Sequence, residues 1–196
     1  MIKNIFIYWD QGFDNAPLVV KRCLLSWHKK NPTWNIIQVT SQTIKNLIDI
    51  NQLNLILNNK SITKTSFSDV LRVYLLEKYG GCWCDATTFC VIPLDDWLPD
   101  MIRDDFFAFR LNINNRPISS WFIYADKQHY LITEWKKKVC DYLNTVDFVI
   151  GDNKIDFIQW NLYKHNLPTY FWFHYLFSDL CNEDNKIRDI INKLNA

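Results

Sequence analysis

Four polar side chains in the middle of the chain have types and spacings that could do chemistry: Asp69, Arg72, Asp85 and Thr87. Asp69 and Arg72 stand three apart in SDVLR, which sets both on one face of a helix. The plain reading of that spacing is a surface ion pair worth roughly 0.2–0.5 kcal/mol. Asp85 opens Asp85-Ala86-Thr87 at the end of a short alternating run, and a carboxylate at a strand exit stands where α/β sheets usually meet ligands. Tyr8, Trp9 and Asp10 close an earlier apolar run and offer aromatic and polar groups at another strand end. His174 lies within TYFWFHYLF, where the ordinary role is a core histidine with one ring nitrogen hydrogen-bonded. Cys82, Cys84 and Cys90 could be imagined as thiolate metal ligands, but Cys-x-x-Cys spacing is missing, so they read as core thiols.

The elements that must position these groups follow from periodicity. Phe67, Val70, Leu71, Tyr74 and Leu75 recur at i, i+3, i+4, which predicts a helix with one buried face, started by a cap at Thr65 or Ser66. Gly80 can take the left-handed conformation that ends helices, and Gly81 gives a second permissive joint; the pair is half of the four glycines in the chain. Cys82 to Asp85 then reads as a strand, with Cys82 and Cys84 on one face and Trp83 and Asp85 on the other. IFIYWD (5–10) predicts a buried first strand. Residues 15–30 predict a helix with Val20, Cys23, Leu24 and Trp27 inward, stopped by Asn31-Pro32. Strand, helix and second strand in that order imply a parallel crossover. Two short helical patterns fill 40–59. DFFAF (105–109) and SSWFIYA (119–125) read as further strands, with 129–144 as an amphipathic helix whose lysines 136, 137 and 138 face water. Residues 169–181 and the segment after them are helical patterns, and Asp95-Asp96 reads as a solvated turn.

With 196 residues the expectation is a single domain, 1–196, with a real core. Lys plus Arg at 22 against Asp plus Glu at 21 gives a net charge of +1, too little to draw the chain to nucleic acid. Aromatics make up 16% and include nine tryptophans, which suits a dense core or a carbohydrate site. The start, MIKNIFIYWD, has neither a long apolar region nor a cleavage site, so six free thiols in a reducing cytoplasm are expected. No apolar run approaches ~20 residues, the length of a membrane span, and peripheral membrane contact is left open.

SDVLR followed by YGGCWCDAT resembles the donor-sugar core of the capsular polysaccharide synthesis family of glycosyltransferases, relatives of the yeast α-1,6-mannosyltransferases and of the glucosyltransferase domains of clostridial toxins. The resemblance runs from about Ile5 to about Asp189 and is sharpest over 66–96. It implies an α/β, GT-A-like nucleotide-sugar-binding domain with a mostly parallel central sheet flanked by helices. It also implies transfer of a sugar from a nucleotide diphosphate donor, UDP-linked, to a glycan or lipid-linked glycan acceptor in capsular or surface polysaccharide synthesis, with retention of configuration. Asp69, Arg72 and Asp85 take catalytic roles in that reading, and Tyr8, Trp9, Asp69, Arg72, Gly81, Asp85, Ala86 and Thr87 bind the donor, with Trp9 against the uracil ring. The Asp-x-Asp position, here Asp85 and Thr87, would hold Mn²⁺ or Mg²⁺, with His174 as a late ligand; a hydroxyl is a poorer ligand than a carboxylate, so metal dependence stays open. Ser119, Ser120 and Trp121 fall on the acceptor side. Relatives commonly continue further, so a C-terminal extension is absent or not included. The alternative is a non-catalytic nucleotide-sugar or glycan-binding relative, which Thr87 favours. A hydrolase or pyrophosphorylase would be expected to carry a lysine-rich or glycine-rich phosphate loop, which this chain lacks.

Overall fold

The computed structural model describes residues 1–51, 53, 62–111, 113, 115–145 and 170–194. Its centre is β1 (Asn4–Tyr8), whose β-branched and aromatic residues are buried on both faces. β2 (Asn35–Val39) pairs parallel to one edge of β1, and β3 (Gly81–Cys84) pairs parallel to the other. β5 (Ile118–Ala125) runs antiparallel to β3, and β4 (Phe106–Arg110) antiparallel to β5. The order is β2-β1-β3-β5-β4, so four strands point one way and β5 alone opposes them. The sheet is mostly, not wholly, parallel.

Register sorts the side chains into two cores. Phe6, Trp83, Ile123 and Ala108 are partners across four strands and all face one side. Ile5, Cys82, Tyr124 and Phe107 form the next row and face the other. The first side is covered by α2 (Lys64–Tyr79), α4 (Tyr130–Thr145), α5 (Trp172–Glu183) and α6 (Asn185–Asn192). The second is covered by α1 (Leu18–Lys30) through Val20 and Trp27, and by Leu98 of the one-turn helix α3 (Leu98–Met101). Each core residue removed from water contributes about 1.5–3 kcal/mol, which makes the three layers cohere.

Several boundaries differ from the sequence expectation, each for a local reason. α1 starts at Leu18, not Asn15, because Pro17 holds an extended ψ of 151° and serves as its cap. α2 is capped by Thr63, whose hydroxyl accepts the Ser66 N–H at 3.2 Å, rather than by Thr65 or Ser66. Periodicity predicts one buried face for α2, yet Asp69 through Leu76 are all buried, since α2 is enclosed between the sheet and α4. In the first of the two 40–59 patterns only a one-turn 3₁₀ segment, Ile44–Asn46, forms. There the Thr40 hydroxyl accepts the Thr43 N–H at 3.1 Å and the Thr43 hydroxyl the Thr40 N–H at 2.9 Å, competing with a helix. Most of the second pattern lies outside the described residues. Asp95 is not a free surface acid: it accepts from Lys3 Nζ at 2.9 Å, Trp34 Nε1 at 2.9 Å and Thr33 Oγ1 at 3.0 Å. Those bonds, the lysine's first, hold its carboxyl below the usual range. Among the described residues no helix is long and apolar enough to cross a membrane.

Candidate active site

The paired glycines decide where the central helix delivers the chain. Gly80 closes α2 with φ +67° and ψ 176°, a conformation essentially reserved for glycine, and gives its N–H to Leu76 O at 2.9 Å. A Cβ there would lie 2.6 Å from the Lys127 backbone nitrogen. Gly81, at φ +104°, lies so close to β1 that a Cβ would sit 2.6 Å from the Asn4 carbonyl oxygen. Both joints therefore require glycine, and the chain enters β3 flush against β1. Four residues later Asp85 emerges, its N–H donated to the Trp121 carbonyl of β5 at 2.9 Å and its own carbonyl accepting the Thr88 N–H at 2.9 Å.

Beneath Asp85 lies Arg72, its side chain only 3% exposed. One terminal nitrogen donates to the Ser120 carbonyl at 2.9 Å; the other reaches Asp69 Oδ1 at 3.0 Å, Asp85 Oδ1 at 3.3 Å and Ser68 Oγ at 3.4 Å. The guanidinium stands between the rings of Trp83 and Phe173, at 5.1 and 5.3 Å from their centroids, a favourable place for a cation. Trp83 adds its indole N–H to Asp85 Oδ1 at 2.8 Å. One carboxylate oxygen of Asp85 is thus clamped by two donors, while Oδ2 makes no hydrogen bond among the described residues. Burial raises the Asp69 carboxyl to about 7; the Arg72 charge pulls it down and the Asp85 charge pushes it further up. The pair that spacing alone would allow on a helix surface lies in the interior.

Above this base opens a cleft of about 320 Å³. Tyr8, Trp9, Asp10 and Gln11, from the end of β1, form one wall. Lys64, Thr65 and Ser68, from the first turns of α2, form another, and Trp83, Asp85, Ala86 and Thr87 the floor. Tyr8 is buried, and its hydroxyl donates to Asp10 Oδ1 at 2.9 Å; burial first, and then this bond, pushes its pKa up. Asp10 Oδ2 pairs with Lys64 across the mouth, and the lysine bond holds the Asp10 carboxyl below its ordinary value.

The structure thus brings Tyr8, Trp9, Asp85, Ala86 and Thr87 together around one space. Asp69 and Arg72 lie under it and do not line it, and Gly81 sits at the far end of β3. His174 is on α5, edge-on to Phe171 and Phe173, and is not part of the lining. Burial, reinforced by Arg72 and Arg116, lowers its pKa to about 3, so the imidazole is neutral; its Nδ1 has no partner among the described residues. Among the described residues no three His, Cys, Asp or Glu side chains cluster as a metal cage. Ser119 is buried, Ser120 serves through its carbonyl, and Trp121 is exposed and stacked on Phe109 at 4.8 Å. Lys64, Ser68 and Gln11 also line the cleft, and Phe109 backs Trp121, none of them singled out by residue type or spacing. Lys64 falls in the first turn of α2, where a cation opposes the helix dipole, but a cap expected at Thr65 or Ser66 leaves it outside the helix, so the conflict shows only once Thr63 is seen to be the cap.

All the cleft-lining residues fall inside residues 1–151, the stretch matched by the family described as capsular polysaccharide synthesis protein. The O-glycosyltransferase braB of Annulohypoxylon truncatum is 24% identical over 150 residues, 68% of this chain and 36% of its own length. The O-glycosyltransferase PaGT of Phomopsis amygdali is 26% identical over 154 residues, 68% of this chain and 37% of its own. The chain spans about a third of the length of these curated relatives. Among solved structures, the PaToxG Glycosyltransferase superposes with a TM-score of 0.50 at 15% identity, over 96% of this chain and 73% of that one. That likeness concerns the fold, and it agrees with the layered sheet described above. Because the family match takes in most of the chain and the whole cleft, this protein belongs to the capsular polysaccharide synthesis protein family.

Proposed function

We propose that this chain, acting as one domain, transfers a sugar from a UDP-linked donor to a hydroxyl of a glycan acceptor in capsular or surface polysaccharide synthesis. The observation that carries the reading is Asp85, held by Arg72 and Trp83 at the exit of β3 in the same cleft as Trp9. Trp9 offers a flat apolar face for the base, worth roughly 1–3 kcal/mol in comparable stacks. Lys64 is the one cation among the described residues that line the cleft, and it supplies charge to the diphosphate by exchanging Asp10 for phosphate oxygens. Asp69 and Arg72 act as positioning residues, fixing the Asp85 carboxylate from below. Trp121, whose carbonyl holds the Asp85 N–H and whose ring stacks on Phe109, marks the acceptor side.

A divalent cation fits this donor set in a limited form. Asp85 Oδ2 and the Thr87 hydroxyl are the protein ligands on offer, and a hard ion such as Mn²⁺ or Mg²⁺ would take its remaining positions from diphosphate oxygens and water. When bound, it neutralises charge on the leaving diphosphate. The neutral imidazole of His174 keeps the ligand chemistry that the family resemblance assigns it, though it stands outside the lining. Retention of configuration rests on that same resemblance.

Calorimetric titration of UDP, first with Mn²⁺ and then with EDTA, tests the reading. Metal-dependent binding that weakens in Asp85→Asn, with transfer abolished and thermal stability nearly unchanged, is expected. No UDP binding under either condition overturns it. Release of free sugar from a UDP-sugar without acceptor separates a transferase from a binding relative, which releases none.

A further inference from the structure

We propose that the outward face of α1, together with the loop of residues 87–92, is a docking surface for a bilayer containing anionic phospholipid. The inference does not depend on the transferase reading. Leu18, Arg22, Leu25 and Lys29 follow one another at i, i+4, i+7 and i+11, a single stripe along the side of α1 turned away from the sheet. Leu18 and Leu25 are each 66% exposed; Phe89, 59% exposed, lines a depression with each of them, and Val91, two residues further along the loop, is 67% exposed. With Val19 and Ile92 they make six of the twelve exposed large apolar side chains among the described residues. Such a concentration marks a contact surface rather than scatter.

The loop is fixed to the helix, so its apolar side chains stand in place. Trp27 Nε1 donates to the Thr88 carbonyl at 2.8 Å, the Cys90 N–H to Ser26 Oγ at 2.9 Å, and the Leu94 N–H to Asn31 Oδ1 at 2.7 Å. Leu18, Arg22, Thr87 and Phe89 line one continuous depression. Thr87 also lines the cleft, so the patch and the cleft mouth share an edge.

Charge selects the occupant. α1 carries Lys21, Arg22, Lys29 and Lys30 and no acid, and residues 86–92 add none, although the chain as a whole is only +1. Among the described residues none of these four cations has an ion-pair partner. A second copy seated face to face by two-fold symmetry would set four cations against four. Apolar side chains beside four basic ones on a convex helix match the interface of an anionic bilayer, where the apolar groups enter the headgroup boundary and each cation adds to binding.

The test is sedimentation of the full chain with vesicles of phosphatidylcholine alone and of phosphatidylcholine mixed with phosphatidylglycerol. Binding to the mixed vesicles, weakened by salt, is expected. At about fivefold per basic side chain, Arg22→Gln with Lys29→Gln loses roughly 25-fold. Leu18→Ser with Leu25→Ser loses at least about tenfold. Lys137→Gln, an exposed lysine on α4, leaves binding unchanged. All these positions are exposed, so an unchanged circular dichroism melt accompanies each variant. No binding to either vesicle, equal binding to both, or equal loss in Lys137→Gln overturns the proposal. So does concentration-dependent self-association that the leucine variants abolish without any vesicle binding, since the occupant is then another copy of the chain.

Discussion

At the base of the cleft Arg72 is 3% exposed, while at its rim Lys64, eight residues earlier on the same helix, is 62% exposed. The buried cation has a carbonyl, a hydroxyl, two carboxylates and two aromatic faces around it. The exposed one has Asp10. A cation taken out of water is costly unless it is paired; Arg72 has partners on both terminal nitrogens, its buried Nε alone lacking one among the described residues, so letting go of them is expensive. A cation left in water gives up a partner at small cost. The base therefore sets geometry, and the rim is free to exchange partners with a ligand. One helix serves both because its first two turns carry Lys64, Thr65 and Ser68 to the cleft wall, while Arg72, at the start of its third turn, lies under the floor.

The sharpest way to break this contrast is to remove each cation in turn. Arg72→Met strips the interior ion pair of its positive member and leaves Asp69 buried beside Asp85, a loss of about 3–5 kcal/mol. In a chain of this size that lowers the melting temperature by roughly 10 °C, read by circular dichroism. Lys64→Met stays within about 1 kcal/mol of the parent. Equal losses would mean that the lysine and arginine sites do not differ in kind.

A second effect separates interior from rim by pH. The Asp69 carboxyl ionises near 3.8 when unfolded and at about 7 when folded, burial being the chief cause. Between those values the folded state holds a proton that the unfolded chain has released. The stability contributed by this group is complete below the unfolded value and is lost as pH rises through about 7. Urea unfolding followed across that window shows the decline in the parent and not in Asp69→Asn. Asp10, held low by Lys64, gives the opposite sign: its contribution is present above its unfolded value and is lost on acidification.

How much of this was legible in the sequence follows from how local each cause is. The helix, hinge and strand from Lys64 to Cys84 were readable because periodicity and the two glycines act within a few residues, although the cap falls at Thr63 rather than at Thr65 or Ser66. The depth of Asp69 and Arg72 was not, because their spacing is the same on a surface helix and an interior one; only the packing of α4 and α5 over α2 buries them. Asp95 is exposed, as the sequence suggests, but its ties were not readable because its partner Lys3 is 92 positions away. The reversal of β5 was hidden for the same reason, since a strand's sequence states its period and not its direction. The stacked pair Phe109 and Trp121 lies where the pairing of β4 with β5 is irregular, between Ala108 and Arg110, and no local signal announces that irregularity.

The smallest expected effect is the most informative about the rim. If Lys64 is there for a ligand rather than for Asp10, then Lys64→Gln leaves unfolding within a few tenths of a kcal/mol of the parent and weakens UDP binding. Hydrogen bonds to charged groups contribute about 1.5–3 kcal/mol, so the loss is on the order of tenfold to a hundredfold in dissociation constant. Asp10→Asn tests the same pair from the other side. It frees Lys64 from its resting partner, so UDP binds as well as or better than to the parent, because the ligand no longer displaces a carboxylate. If instead both variants weaken UDP binding equally, the pair acts as a fixed strut across the cleft mouth. The rim would then be no freer to exchange partners than the base.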